Sequence, residues 1–108
     1  MRRVETDDGY VPMTENQLKV YVLREAYAKG WAVYHVVQAA HAHKGGGSGY
    51  PDLTLARDGS VMWFELKQEK ASPTAEQWLW YEALGRHAWH LIRPSDWYSG
   101  RVADVRAM

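Results

Sequence analysis

Cysteine is absent from this 108-residue chain, which excludes a disulfide scaffold and thiol catalysis and suits a reducing cytoplasm, where the chain is expected to act. An excess of either charge is also missing. Thirteen basic and thirteen acidic side chains cancel, so bulk electrostatics cannot coat the chain onto a polyanion. No apolar run approaches the roughly 18–20 residues that cross a bilayer, and no membrane association is expected. The opening Met-Arg-Arg-Val-Glu-Thr-Asp-Asp leads into no apolar stretch and does not read as a signal peptide. Phenylalanine occurs once, against six tryptophans and seven tyrosines. Core and interface packing is the ordinary use of such residues, and stacking on unpaired bases is the sharper one. Hydrophobic residues at 46% and charged residues at 24% describe an ordinary globular chain, and its length suits one domain with a modest core.

The pattern divides the chain into an arm over residues 1–13 and a single domain over 14–108. Thr14-x-x-Gln17 has the form of a capping box and predicts a helix to about Lys29, ended by Gly30. At 100° per residue, Glu15, Leu18, Val22, Glu25 and Ala26 form one stripe of it. Trp31 to Gln38 is β-branched and aromatic and reads as a first strand. Ala39 to Ser48 reads as a loop rich in glycine and carrying His41, His43 and Lys44. With His35, those histidines lack a fourth ligand at convincing spacing, so zinc is not expected. Nor is the glycine run a P-loop, since no Gly-Lys-Ser/Thr follows it. Ser72-Pro73 predicts the start of a second helix, with serine as N-cap and Gln77, Trp80, Tyr81 and Leu84 on one face, ended by Gly85. His87 to Arg93 reads as a last strand stopped by Pro94. The tail from residue 95, with Trp97 and Tyr98, is left open between helix and extended chain.

Residues 49–67 carry the chemistry. Asp58-Gly59 is a tight-turn signal, because both residues tolerate positive φ. A two-residue turn there pairs Arg57 with Ser60 and Ala56 with Val61, and the ladder carried backwards sets Asp52 opposite Glu65. Alternation puts Val61, Trp63, Glu65 and Lys67 on one face and Met62, Phe64 and Leu66 on the other. Lys67 then stands roughly 7 Å beyond Glu65 on the same side. Like charges directly opposed across a hairpin are destabilising. A divalent cation held between the two acids, with a lysine alongside, resolves that conflict. The bland alternative is a pair of ordinary surface acids on a structural protein.

Pro51-Asp52 followed by Glu65-Leu66-Lys67 resembles the PD-(D/E)xK nuclease signature. Gly49-Tyr50-Pro51-Asp52-Leu53, Trp63-Phe64-Glu65-Leu66-Lys67 and Ser72-Pro73-x-x-x-Gln77 are similar, more narrowly, to the VRR-NUC branch of that superfamily and its small stand-alone phage-type members. The likeness runs from about Thr14 to Ile92. It implies a restriction-endonuclease-like α/β core in the order α-β-β-β-α-β. It implies a nuclease dependent on Mg²⁺ or Mn²⁺ and acting on branched DNA such as four-way (Holliday) junctions, as a homodimer. Flaps and other replication intermediates are the alternative substrates, and a non-catalytic nucleic-acid-binding module is the rival reading.

In that scheme Asp52, Glu65 and the backbone carbonyl of Leu66 hold the metal, and Glu15 completes the site, with Glu25 as its substitute. Lys67 handles the attacking water or the phosphate charge, and Gln77 orients a ligand or the lysine. Lys44, Gly46, Ser48 and Lys70 are the candidate contacts to DNA.

Overall fold

The Asp58-Gly59 turn forms as its residue types dictate. In the computed structural model of the chain, which describes residues 13–35 and 49–104, the two turn residues have φ of 52° and 82°. Positive φ at both positions matches the right-handed twist of the strands on either side. These are β2 (Leu53–Arg57) and β3 (Ser60–Leu66), paired in antiparallel register from Arg57↔Ser60 down to Leu53↔Phe64. That is the register expected from the turn.

Around this hairpin the chain adds α1 (Glu15–Ala28) and β1 (Ala32–His35) before it. After it come α2 (Ala75–Leu84), β4 (Trp89–Ile92), α3 (Pro94–Tyr98) and α4 (Arg101–Asp104). The sheet is mixed, in the order β1-β2-β3-β4. β1 runs antiparallel to β2, whereas β4 runs parallel to β3. A parallel neighbour cannot be reached by a tight turn, and α2 lies in the connection that permits it. The protein is thus a small mixed α/β fold. The tail left open by the sequence supplies two short helices. The expected arm, the end of the first strand at Gln38 and the loop with His41, His43, Lys44, Gly46 and Ser48 lie outside the described residues.

One face of the sheet makes the core. Leu53 and Leu55 of β2, Met62, Phe64 and Leu66 of β3, and Ile92 of β4 are buried there with Leu18, Val22 and Ala26 of α1, Trp31 and Val102. The three α1 residues belong to the predicted stripe. Tyr21 of α1 stacks on Trp97 of α3, centroids 5.5 Å apart and planes 11° apart, so the tail closes the same layer. The opposite face carries Trp63 beside Trp89, and Trp89 packs against Trp78 and Tyr81 of α2.

Both α1 and α2 open with threonine capping boxes, but only the first lies where expected. Thr14 and Gln17 exchange side-chain-to-backbone hydrogen bonds at 3.1 and 2.9 Å at the start of α1. For α2 the expected start at Ser72-Pro73 is corrected: the N-cap is Thr74, which exchanges the same pair of bonds with Gln77 at 3.2 and 2.8 Å. Two reciprocal bonds satisfy two orphan helix donors, where a lone serine satisfies one.

Gly49 shows how closely α2 approaches the hairpin entrance. Its φ is +79°, and a Cβ built on it would sit 2.6 Å from the carbonyl carbon of Glu76. Gly30 has a similar φ of +84° with open space around it. Gly30→Ala therefore incurs only the left-handed backbone penalty of about 1–2 kcal/mol. Gly49→Ala adds a backbone clash and is expected to lose about 1–3 kcal/mol more. Thermal unfolding of both variants checks this, and equal losses would contradict the close approach.

Candidate metal-binding acidic site

The sheet ends where the acids begin. Continuing the β2–β3 register by one residue places Asp52 opposite Glu65, close enough for each acid to feel the other. The two carboxyl groups interact as side-chain hydrogen-bond partners. Asp52 Oδ2 also accepts a 2.8 Å hydrogen bond from the backbone N–H of Leu66, the residue after Glu65. That bond ties Asp52 to the far strand.

Glu65 is only 1% exposed, the one charged side chain buried among the described residues. Its Oε2 lies 4.0 Å from Lys67 Nζ, and its Oε1 has no hydrogen-bond partner. Burial, then the neighbouring Asp52 charge, pushes the Glu65 carboxyl up to about 9, with Lys67 opposing. Without a cation, the pair therefore resolves its repulsion by keeping a proton on Glu65. The backbone of Lys67 is fixed in turn, its N–H donating to Ile92 O at 3.0 Å in the parallel ladder. Beyond it, Glu69 Oε1 accepts from the N–H of Ser95 at 2.8 Å and Arg93 Nη2 donates to Ala71 O at 2.8 Å, pinning the exit loop to α3.

Glu15 stands at the rim in the first turn of α1. Its carboxyl is raised above the ordinary value by partial desolvation first and by the Asp52 charge second, while Lys67 and Lys19 oppose. It therefore feels the acid pair. Glu25 lies ten residues along the same helix, about 15 Å by the helical rise, and pairs with Lys29 at 3.0 Å. Of the two stripe acids, the structure brings only Glu15 toward the site.

Gln77 is placed differently from expectation. No residue of α2 is buried, and the Gln77 side-chain carbonyl is held by the Thr74 N–H in the helix cap. The expected stripe of Gln77, Trp80, Tyr81 and Leu84 is the less exposed face of α2, half-buried and outside the core, with Trp80 and Tyr81 against Tyr50 and Trp89. Lys70 is exposed in the turn after β3.

The sequence reading assigned no role to Tyr50, Thr54 and Trp63, which form a hydrogen-bonded chain beside the acids: Tyr50 OH lies 2.9 Å from Trp63 Nε1 and 3.0 Å from Thr54 Oγ1. The available signal was positional, since Tyr50 and Thr54 bracket Asp52 and Trp63 precedes Glu65 by two.

Among the described residues, no group of three or more His, Cys, Asp or Glu side chains is arranged to hold a metal ion. The acid pair fits a hard cation nonetheless. Mg²⁺ is commonly bound by one or two carboxylates, with waters and substrate phosphates completing its shell. An unpaired buried oxygen such as Glu65 Oε1 is the kind of group that an ion or water satisfies. Also among the described residues, no helix is long and apolar enough to cross a membrane.

Comparisons with known protein families, with curated proteins and with solved structures find no match to this chain.

The folded chain holds the Glu65 proton up to about pH 9, whereas the unfolded chain releases it near the ordinary 4.5. The folded state binds more protons across that window, so metal-free stability is greatest at its acid end and falls as pH rises through it. In chelator, the Tm is expected to drop by more than about 5 °C between the two ends. Glu65→Gln should flatten that slope. An equal slope in the variant would place the titrating group elsewhere.

Proposed function

We propose that the protein is a metal-dependent DNA endonuclease of the PD-(D/E)xK, VRR-NUC kind, with a restriction-endonuclease-like core. One observation carries the reading: a buried glutamate with an unpaired oxygen touches Asp52 on one side and faces Lys67 on the other. The element order and the α2 connection between β3 and its parallel neighbour agree with such a core.

Asp52, Glu65 and the backbone carbonyl of Leu66 would hold Mg²⁺ or Mn²⁺, with Glu15 reaching the site from its rim. When bound, such an ion lowers the pKa of a coordinated water and offsets charge on a phosphoryl oxygen. Lys67 would position the attacking water or neutralise the phosphate. Its short reach to Glu65 and its ladder-fixed backbone keep the ammonium beside the acids. Asp52 is anchored beside Glu65 by the Leu66 N–H, which limits the reorganisation that binding an ion would require. Gln77 is a cap first, and a part in orienting groups at the site would fall to its amide NH₂.

Branched DNA, four-way junctions foremost, is the proposed substrate, cut by a cytoplasmic homodimer with one site for each of two strands. A chain of this size has little surface to recognise a junction alone, and two-fold symmetry is the commonest solution. Lys70 and, outside the described residues, Lys44, Gly46 and Ser48 are the proposed contacts to the DNA backbone.

With Mg²⁺ or Mn²⁺ and a labelled panel of junctions, flaps, single strands and linear duplex, the parent chain is expected to cut junctions best. Asp52→Asn, Glu65→Gln and Lys67→Ala should each lower the rate by about 100-fold or more. Parent-level turnover by all three, folded and saturated with metal, would contradict the mechanism. Preference for flaps would move the substrate to replication intermediates, and binding without cleavage would identify a non-catalytic module. Sizing the protein in solution tests the dimer.

A further inference from the structure

We propose that Tyr50, Thr54 and Trp63 form a clamp that positions Asp52 against Glu65 and thereby sets the affinity of the acid pair for a divalent cation. The inference rests on the metal-binding reading above and assigns work to three residues outside the ligand set.

One of the two hydrogen-bond directions is fixed by chemistry. An indole N–H only donates, so Trp63 Nε1 gives its proton to the Tyr50 hydroxyl oxygen at 2.9 Å. The Tyr50 and Thr54 hydroxyls lie 3.0 Å apart, and either can donate to the other. The chain runs Trp63 to Tyr50 to Thr54, with each contact partly buried.

Its placement explains its use. Tyr50 and Thr54 lie two residues before and two after Asp52, so their hydroxyl contact closes a short loop with Asp52 at its apex. Trp63 is the cross-strand partner of Thr54 and precedes Glu65 by two residues on the same strand face. One hydroxyl therefore ties the segment bearing the first acid to the strand bearing the second.

Asp52 needs such help, because the β2–β3 ladder stops at Leu53↔Phe64, one residue short of it. Its carboxylate has the Leu66 N–H, and its backbone is held by buried Pro51 and by this clamp. The clamp is itself backed by α2. The Trp80 ring meets Tyr50 edge-on at 4.9 Å, and Gly49 fits against the Glu76 backbone with no room for a Cβ. A helix with no buried residue of its own thus acts on the site through one tyrosine.

Removing the hydroxyl leaves Trp63 Nε1 without an acceptor and opens the loop around Asp52, while the ring and its packing stay. Groups that orient metal ligands from outside the coordination shell change metal affinity by about 10–100-fold when removed.

The test is a titration of the full chain with Mn²⁺, followed by loss of the free-ion electron paramagnetic resonance signal, with thermal unfolding in chelator measured alongside. Tyr50→Phe and Thr54→Val are each expected to weaken Mn²⁺ binding about tenfold or more. Thr54→Ser, which keeps the hydroxyl, should recover the parent affinity. A fall in Tm with unchanged Mn²⁺ affinity in both variants would make the clamp a stability element only and overturn the proposal. A parent chain that takes up no Mn²⁺ would overturn the metal reading, and the clamp with it. Binding by the parent with equal binding by Tyr50→Phe and Thr54→Val overturns the clamp alone.

Discussion

Two carboxyl groups held in contact, one of them out of solvent, set the terms for everything around them. Water cannot screen Glu65, and Asp52 is held beside it by the Leu66 N–H just beyond the end of the hairpin ladder. Lys67 offsets part of the repulsion, and a proton or a bound cation can remove the rest. Burial and the Asp52 charge favour the proton in the metal-free chain, pushing the Glu65 carboxyl up to about 9. The opposition of acids is therefore tolerable without metal, which is a gentler conclusion than the sequence pattern alone suggests. An exchangeable proton at a buried, partly unpaired carboxyl also leaves the pair ready to take a cation in its place.

The remainder of the fold can be read as the means of holding that contact. The Asp58-Gly59 turn sets the register. α1 supplies the hydrophobic backing through Leu18, Val22 and Ala26, and delivers Glu15 to the rim with its first turn. β4 fixes the strand end that carries Lys67, and the Glu69–Ser95 bond secures the loop that leaves it. α2 contributes little to the core and instead braces the entrance to the hairpin through Trp80 and Gly49. Stability and site geometry are thus largely separate tasks, assigned to opposite faces of one sheet.

The hairpin and its facing acids were legible because turn chemistry and two-residue periodicity are local rules that leave a single register. The first helix was legible for the same reason, its cap and stripe both being local. Glu15 and Glu25 were not separable, since they share the stripe; the difference is the helix length between them and the Lys29 partner that occupies Glu25. The start of α2 was misjudged because Ser72-Pro73 is a good cap by residue type, and Thr74 with Gln77 is a better one by bond count. That competition also ties the Gln77 carbonyl into the helix cap, away from the role that the family resemblance implied. Trp63, Tyr50 and Thr54 went unassigned because a tryptophan N–H can find its acceptor anywhere in the fold, and periodicity gives the face without the partner.

Isothermal titration with Mn²⁺ at pH 7, repeated in buffers of different ionisation enthalpy, tests the central claim most directly. If a cation replaces the shared proton, the parent chain binds Mn²⁺ and releases about one proton per ion, and Glu65→Gln abolishes both the binding and the release. No heat of binding by the parent chain, or binding that releases no proton and survives Glu65→Gln, would contradict the account.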